Sequence, residues 1–349
     1  MQLLNIRRIM CHTFLVVYLS TSLALAASSP IQTPWNTGAN HSPQTPAMAR
    51  TLWAYISDQP SSKIIQCTAD PTSGTFSHCS DAGATGLSSP TGIALNRAGT
   101  RAFVVNYGKH AKAKAVQCTV NPTSGKFSNC SDTHAKGLNG PGSLIFNHNE
   151  TRVFITNSGG HSVIQCAVDP TSGTFSSCAN AGLDGIKTPE GLTLNPTGTR
   201  LFITDWYRKK ITQCKVDPTT GKVSSCASTG ATRIISPNGI VLNSDGTRAF
   251  VVNYSYSKNQ VIQCTVDPTS GKFSHCSDTG ANSLKNPHSM VLNAAGTRAF
   301  MLVDIHYGEK ENVATCAVNP STGAFSNCKQ TGATKLLLPG GITLSPTGA

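Results

Sequence analysis

The sequence predicts an all-β ring of six four-stranded blades, and three observations carry that prediction. First, twelve of the thirteen cysteines fall into six pairs with a single spacing, C-x11-C: Cys67/Cys79, Cys118/Cys130, Cys166/Cys178, Cys214/Cys226, Cys264/Cys276 and Cys316/Cys328. First members recur at intervals of 48 to 52 residues, the signature of one small unit stacked repeatedly. Second, each interval holds four short apolar stretches separated by turn chemistry. Third, the repeat is permuted. The chain enters the array on the second strand of a unit, near Arg50, and ends just after a first strand, at Leu344–Ala349. A unit split between the two ends that matches at the seam describes a closed ring, a six-bladed β-propeller, in which C-terminal strand A pairs with N-terminal strands B, C and D. An open solenoid would instead need atypical polar caps.

The N-terminal residues come first. Arg7 and Arg8 precede a mostly apolar run from Thr13 to Ala26 that ends in Ala24-Leu25-Ala26. That is a basic region, an apolar core and a small-residue cleavage site, so residues 1–26 read as a secretory signal. The run is too short and too polar to span a bilayer, and no later stretch could. Residues 27–48, rich in Pro, Ser, Thr and Asn, read as a flexible arm. The ring occupies 49–349. Cleavage removes Cys11 and leaves an even number of cysteines in an exported chain, periplasmic or secreted, so disulfides follow.

The fifth copy shows the unit best. Pro237–Asn243 is strand A, and Ser244-Asp245-Gly246 is a turn. Thr247–Tyr254 is strand B, followed by a variable loop. Val261–Val266 is strand C, Asp267-Pro-Thr-Ser-Gly271 a tight turn with Gly where positive φ is needed, and Lys272–Cys276 strand D. If the loop is Pro268–Gly271, Val266 faces Phe273, and Cys276 falls one residue out of register with Cys264 unless strand D carries a bulge. A five-residue loop would pair the cysteines directly but turn Phe273 out of the blade-packing layer. The bulge is the expected solution. Each bridge closes a loop of about 13 residues and is worth roughly 3 kcal/mol by loop entropy, which offsets blade cores poor in aromatics, at 6% of the chain.

The repeat P-x-G-I-x-L-N, then G-T-R-x-F-V-V-N, then V-D-P-T-S-G-K-F resembles the NHL and YVTN class of β-propeller, over residues 49–349. The resemblance implies the fold. It leaves function open among protein- and glycan-binding propellers, lactonases, lyases and gluconolactonase-like metal enzymes. The paired cysteines depart from most such repeats and suggest an exported subgroup.

Two candidate sites follow. The A–B and C–D turns share one face of the ring and are near-identical between copies, so they read as scaffold. The B–C and D–A loops share the other face and differ, which marks a binding side. That face gathers Lys109, Lys112, Lys114, His161, Trp206, Tyr207, Arg208, Lys209, Lys210, Tyr254, Tyr256 and His306. With a formal charge of +12, it suits an anionic glycan, a lipid head group or a protein partner, through charge and stacking. The excess is sparse and there is no polybasic tail, so nucleic acid is not expected; the protein is expected to be a monomer. The second candidate is the channel mouth. The residue after each strand-A proline should point toward the axis: Thr91, Gly142, Glu190, Asn238, His288 and Gly340. The ends of strand B (Asn106, Asn157, Asp205, Asn253, Asp304) are expected to join them. Pro-Glu190-Gly and Pro-Asn238-Gly resemble the metal-holding motifs of gluconolactonase-like propellers, with His288 where an Asp is expected. Glu190, Asn238 and His288 could hold a divalent cation, Ca²⁺ or similar, that activates water.

No G-x-S-x-G, HExxH or P-loop motif occurs, and bridged cysteines cannot act as nucleophiles. A binding module acting through the loop face is therefore the first expectation. A metal-dependent hydrolase, lactonase-like, or a lyase at the channel mouth is the alternative.

Overall fold

Strand B is apolar on both faces and strand C largely so, which leaves each unit with two faces to bury, and six units bury them against one another. The computed structural model describes residues 51–108, 113–183, 185–254, 261–281, 283–303 and 313–346. Residues 1–26 and 27–48, expected from sequence to be a signal and an arm, lie outside these. Among the described residues there are six four-stranded antiparallel sheets, each ordered A-B-C-D, and no α-helix, so none long and apolar enough to cross a membrane.

The seam forms as the permuted repeat requires. Strand Pro339–Leu344 pairs with Trp53–Asp58, which continues through Lys63–Ala69 to Phe76–Asp81. Trp53 N donates to Ser345 Oγ at 2.9 Å, across 292 residues of chain. The ring thus closes through main-chain hydrogen bonds, with both ends of the array held in one sheet.

Six buried clusters fill the ring, each built from two adjacent blades. The aromatic near the middle of strand B meets the strand-D phenylalanine of the next blade: Tyr55–Phe127, Phe103–Phe175, Phe202–Phe273, Phe250–Phe325 and, over the seam, Phe300–Phe76, with centroids 4.9–5.6 Å apart. At the remaining interface, fully buried Phe154 shares a cluster with Val223. Such ring pairs add about 0.5–1.5 kcal/mol each beyond their burial, so few aromatics go far here.

The six disulfides form within blades as the spacing predicts: Cys67–Cys79, Cys118–Cys130, Cys166–Cys178, Cys214–Cys226, Cys264–Cys276 and Cys316–Cys328, each with Cα atoms 4.1 Å apart. Val266 faces Phe273, and the register shifts at Cys264, where two strand-D residues oppose one. The bulged residue is His275, in left-handed conformation (φ 48°), and the same holds for His78, Asn129, Ser177, Ser225 and Asn327. Asn and His tolerate that region better than most side chains. The two ends of a bridge are not equivalent, although the bare spacing treats them alike. The first cysteine of each pair lies on strand C and is fully buried. The second follows the bulged residue on strand D, the outer edge of the sheet, where no further strand covers it. Cys79 is still buried there, Cys130, Cys178, Cys276 and Cys328 are half-buried, and Cys226 is exposed. Each bridge therefore ties an outer edge strand to the inter-blade core.

The near-identical turns fasten blade to blade. Arg101 donates to the Thr171 and Ser172 carbonyls of the next blade's C–D turn, at 2.8 and 2.7 Å. Arg152 reaches Thr220, Arg200 reaches Thr269, Arg248 reaches Ser321 and Arg298 reaches Thr72 in the same way. The turn's own acid is an Asx cap: Asp267 Oδ1 accepts from Ser270 N and Thr269 N, and the first of these hydrogen bonds leads in holding its carboxyl below the usual range.

Candidate active site at the ring axis

The P-x-G tripeptide of strand A shapes the centre of the ring. In five blades the A–B register shifts across it, as between Pro237↔Asn253 and Ile240↔Val251. Two strand-A residues there oppose one on strand B. This inner bulge turns the middle residue toward the axis, in keeping with the tendency of bulges to re-aim side chains beside sites. The third residue is small because neighbouring inner strands nearly touch. A Cβ on Gly191 would lie 2.3 Å from the Asn238 carbonyl oxygen, and one on Gly341 would lie 2.5 Å from that of Thr91.

The result is an axial cavity of about 600 Å³. All six residues expected at the axis line it, so Glu190, Asn238 and His288 meet in one cavity with Thr91, Gly142 and Gly340. Tyr254, assigned from sequence to the loop face, lines it too. Sequence reasoning missed Gln59 and Leu338, which sit in a B–C and a D–A loop, and treated Ser158 only as loop. The bridged cysteines take no part in the site. None of the twelve lines the cavity. Strand A, at the axis, is separated from Cys79, Cys130, Cys178, Cys226, Cys276 and Cys328 on strand D by the whole width of the blade.

Glu190 is the carboxylate among the described lining residues. Its main chain is fixed by Thr156 of the preceding blade, whose Oγ1 donates to the Glu190 carbonyl at 2.9 Å. Ser158 Oγ donates to the Pro189 carbonyl at 2.5 Å and lies 3.4 Å from Glu190 Oε1. Burial pushes the Glu190 carboxyl up to about 7; the Ser158 hydroxyl lowers it somewhat, and the charge of Asp205 raises it further. His288 presents Nε2 to the Pro339 carbonyl at 2.9 Å.

One sequence expectation is corrected. The strand-B ends do not join the site. Asn106, Asn157, Asp205 and Asn253 are buried and hydrogen-bonded to their own blade's D–A loop. Asp205 accepts from Lys187 N and Thr188 N at 2.9 and 3.1 Å, Asn157 from Asn139 N and Asn253 from Ile235 N. Asp58 does the same for Leu337 and Leu338. Buried loop N–H groups need acceptors, and these side chains supply them. Asp304 lies outside the described residues.

Of the expected loop-face residues, Lys109, Lys112, Tyr256 and His306 lie outside the described residues. Lys114 pairs with Asp132 at 3.7 Å, away from the axis. His161 contacts the Lys187 carbonyl through Nδ1. Trp206 and Tyr207 are exposed, and Lys187 Nζ sits 3.9 Å over the Tyr207 ring. Arg208 Nε lies 3.9 Å from Asp205, Lys209 takes the left-handed position of the turn, and Lys210 starts strand C. Tyr107, Trp206, Tyr207, Leu337 and Leu338, the exposed large apolar side chains among the described residues, all fall on this face.

For a resident cation the donors are thin. Among the described residues, no three His, Cys, Asp or Glu side chains converge. Glu190, Asn238 and His288 offer one carboxylate that burial leaves only about half ionised near pH 7, one amide and an imidazole already directed at a carbonyl. Calcium takes six to eight oxygens, several from carboxylates, and these residues do not match that demand.

Residues 118–241 match the model of a lactonase family described as a 7-bladed β-propeller. The match covers about a third of this six-bladed chain and includes Glu190 and Asn238. No curated protein matches the sequence. Among solved structures, a Bacteroides uniformis protein provisionally assigned as a 6-phosphogluconolactonase is 18% identical, with a TM-score of 0.60, 81% of this chain and 83% of that one being covered. The periplasmic gluconolactonase of Pseudomonas aeruginosa is 18% identical, with a TM-score of 0.58 and coverage of 82% and 85%. A chain of a nidogen/laminin complex is 12% identical, with a TM-score of 0.64 and coverage of 85% and 100%. At such identities these neighbours share the propeller fold; the lactonase match favours the alternative expectation over a binding module.

Proposed function

We propose that this protein is an exported hydrolase of cyclic esters, lactonase-like, acting in the axial cavity with Glu190 as its acid–base group. One observation carries the reading: a carboxyl held near pH 7 stands in the axial cavity, within the segment that resembles a lactonase. A catalytic carboxyl works best when its pKa lies near the working pH. The ionised form takes a proton from water as the water oxygen adds to the lactone carbonyl carbon. The tetrahedral adduct then expels its ring oxygen, which receives that proton from Glu190. The ring C–O bond breaks and an open-chain hydroxy acid leaves. The Asn238 and Gln59 amides line the same cavity and are suited to donate to the developing oxyanion. Six disulfides support an oxidising compartment, and the P-x-G and G-T-R repeat supports an NHL/YVTN-like type.

The test is lactone opening followed by pH-stat, with wild type and Glu190→Gln compared before and after exhaustive chelation. The expected result is hydrolysis that survives chelation and falls by about 10²-fold or more in the variant. Equal rates in the two proteins would end this reading. Loss on chelation, restored by Ca²⁺, Mn²⁺ or Zn²⁺, would instead favour a cation held by Glu190, Asn238 and His288. The exposed aromatic and leucine residues around the mouth favour one second reading, a binding module for an anionic glycan or protein partner. That reading predicts binding without turnover.

A further inference from the structure

We infer that the axial cavity takes an uncharged polyhydroxylated lactone and discriminates against the same ring bearing a phosphate; this rests on the lactonase reading above. Proteins hold a phosphate with Arg or Lys, with a helix N-terminus, or with a nest of main-chain N–H groups. Among the described residues the cavity offers neither of the first two, and the third only in part. No Lys or Arg lines it, and no α-helix points at it. Five inner-strand N–H groups are already occupied: Gly191 N donates to Thr204 Oγ1, Gly239 N to the His288 carbonyl, Gly341 N to Ser57 Oγ, Ser143 N to Thr156 Oγ1 and His288 N to the Leu302 carbonyl.

Of the described cations in the rim loops, Lys136, Lys209, Arg233, Lys285 and Lys335 do not line the cavity, and two more are turned to other partners. Lys187 stacks on Tyr207, and Arg208 leans on buried Asp205. The cavity wall is instead hydroxyl and amide, from Gln59, Ser143, Thr188, Asn238 and Ser289 on separate strands and loops, with Tyr107 at the edge. That chemistry pairs with sugar hydroxyls and a C–H face. A phosphate dianion would meet Glu190 with no countercharge among the described lining residues. The same reasoning covers the product, whose new carboxylate forms in a cavity that does not hold anions, so release is favoured.

The experiment titrates the full disulfide-bonded protein at pH 7.5 with the 1,5-lactam of gluconic acid and with its 6-phosphate, and measures turnover of the two matching lactones. The plain lactam is expected to bind at least tenfold tighter, and the plain lactone to show at least tenfold higher kcat/KM. Asn238→Lys places a cation at a position that other blades fill with Thr, Gly, Glu or His, so the fold should accept it, and it should shift preference toward the phosphate. Equal or tighter binding of the phosphorylated lactam by wild type overturns the inference, as does binding of neither. Binding of the plain lactam with no turnover of either lactone sinks the lactonase reading and leaves the cavity's preference for uncharged rings standing.

Discussion

Replacing Glu190 with glutamine should make the protein more stable at alkaline pH while removing its activity. The carboxyl is pushed from 4.5 up to about 7, chiefly by burial. A carboxyl raised on folding holds its proton more tightly in the folded chain. The stability it lends is therefore fully present below about 4.5 and is lost as pH rises through about 7. The difference corresponds to roughly 3 kcal/mol at pH 8, where wild type must bury an ionised carboxylate. Glutamine keeps the shape of the protonated acid and can still accept from Ser158, yet carries no charge. At pH 8 the variant should gain roughly 3 kcal/mol, about 5 °C in Tm for a ring of this size. At pH 5 the gain should shrink below about 1 kcal/mol. Thermal unfolding of both proteins across pH 5 to 8, disulfides intact, reads this directly, and the rising limb of kcat/KM near pH 7 should vanish in the variant. Parallel Tm curves would refute the reasoning, because they would mean the carboxylate ionises at its ordinary pH and costs nothing to bury.

Two further outcomes test the frame around that residue. Removing one bridge as the pair Cys264→Ser and Cys276→Ser should cost about 3 kcal/mol and leave the other five bridges within their blades on non-reducing peptide mapping; a bridge between two blades would contradict the hairpin assignment. Gly191→Ala places a methyl 2.3 Å from the Asn238 carbonyl oxygen and should destabilise by about 1–3 kcal/mol. It should also lower turnover by displacing Glu190, whereas Gly296→Ala, at a turn with open space around it but positive φ, should affect stability with turnover unchanged.

The fold was legible because local chemistry repeats six times and each copy says the same thing. The C-x11-C interval, the proline and glycine of the D-P-T-S-G turn, and the seam match between Arg50 and Leu344 placed strands to within about two residues and predicted the bulge opposite Cys264. Contacts that join one blade to the next were not legible. Nothing in G-T-R says that Arg101 will reach the carbonyls of Thr171 and Ser172, because that contact depends on the angle between blades. The same gap misplaced Asn157 and Asp205. A polar residue at a strand end near the axis looks like a ligand in sequence, but the D–A loop leaves buried N–H groups behind it, and satisfying them decides where the side chain turns. The signal was present in retrospect: Asn or Asp recurs at that position in blade after blade, and a residue that does not vary across a repeat belongs to the repeat.

That criterion also separates the site from the scaffold. The middle residue of P-x-G is aimed at the axis by a bulge that five blades share, so its direction belongs to the scaffold while its identity does not. Thr91, Gly142, Glu190, Asn238, His288 and Gly340 differ in size, polarity and charge, and the glycines at two of these positions show that the strand forms without a side chain there, although Thr91 and His288 do contact a carbonyl of the next blade. The flanking residues carry the cost of the geometry: proline sets the entry, and a small third residue lets adjacent strands come within contact of each other's carbonyls. A ring built this way can change the chemistry of its centre one blade at a time while the apolar packing between blades stays as it is. Glu190 costs stability, as a desolvated acid must, and sits where the fold asks for nothing. Stability given up at a position the scaffold leaves free is the strongest physical reason to look for catalysis there.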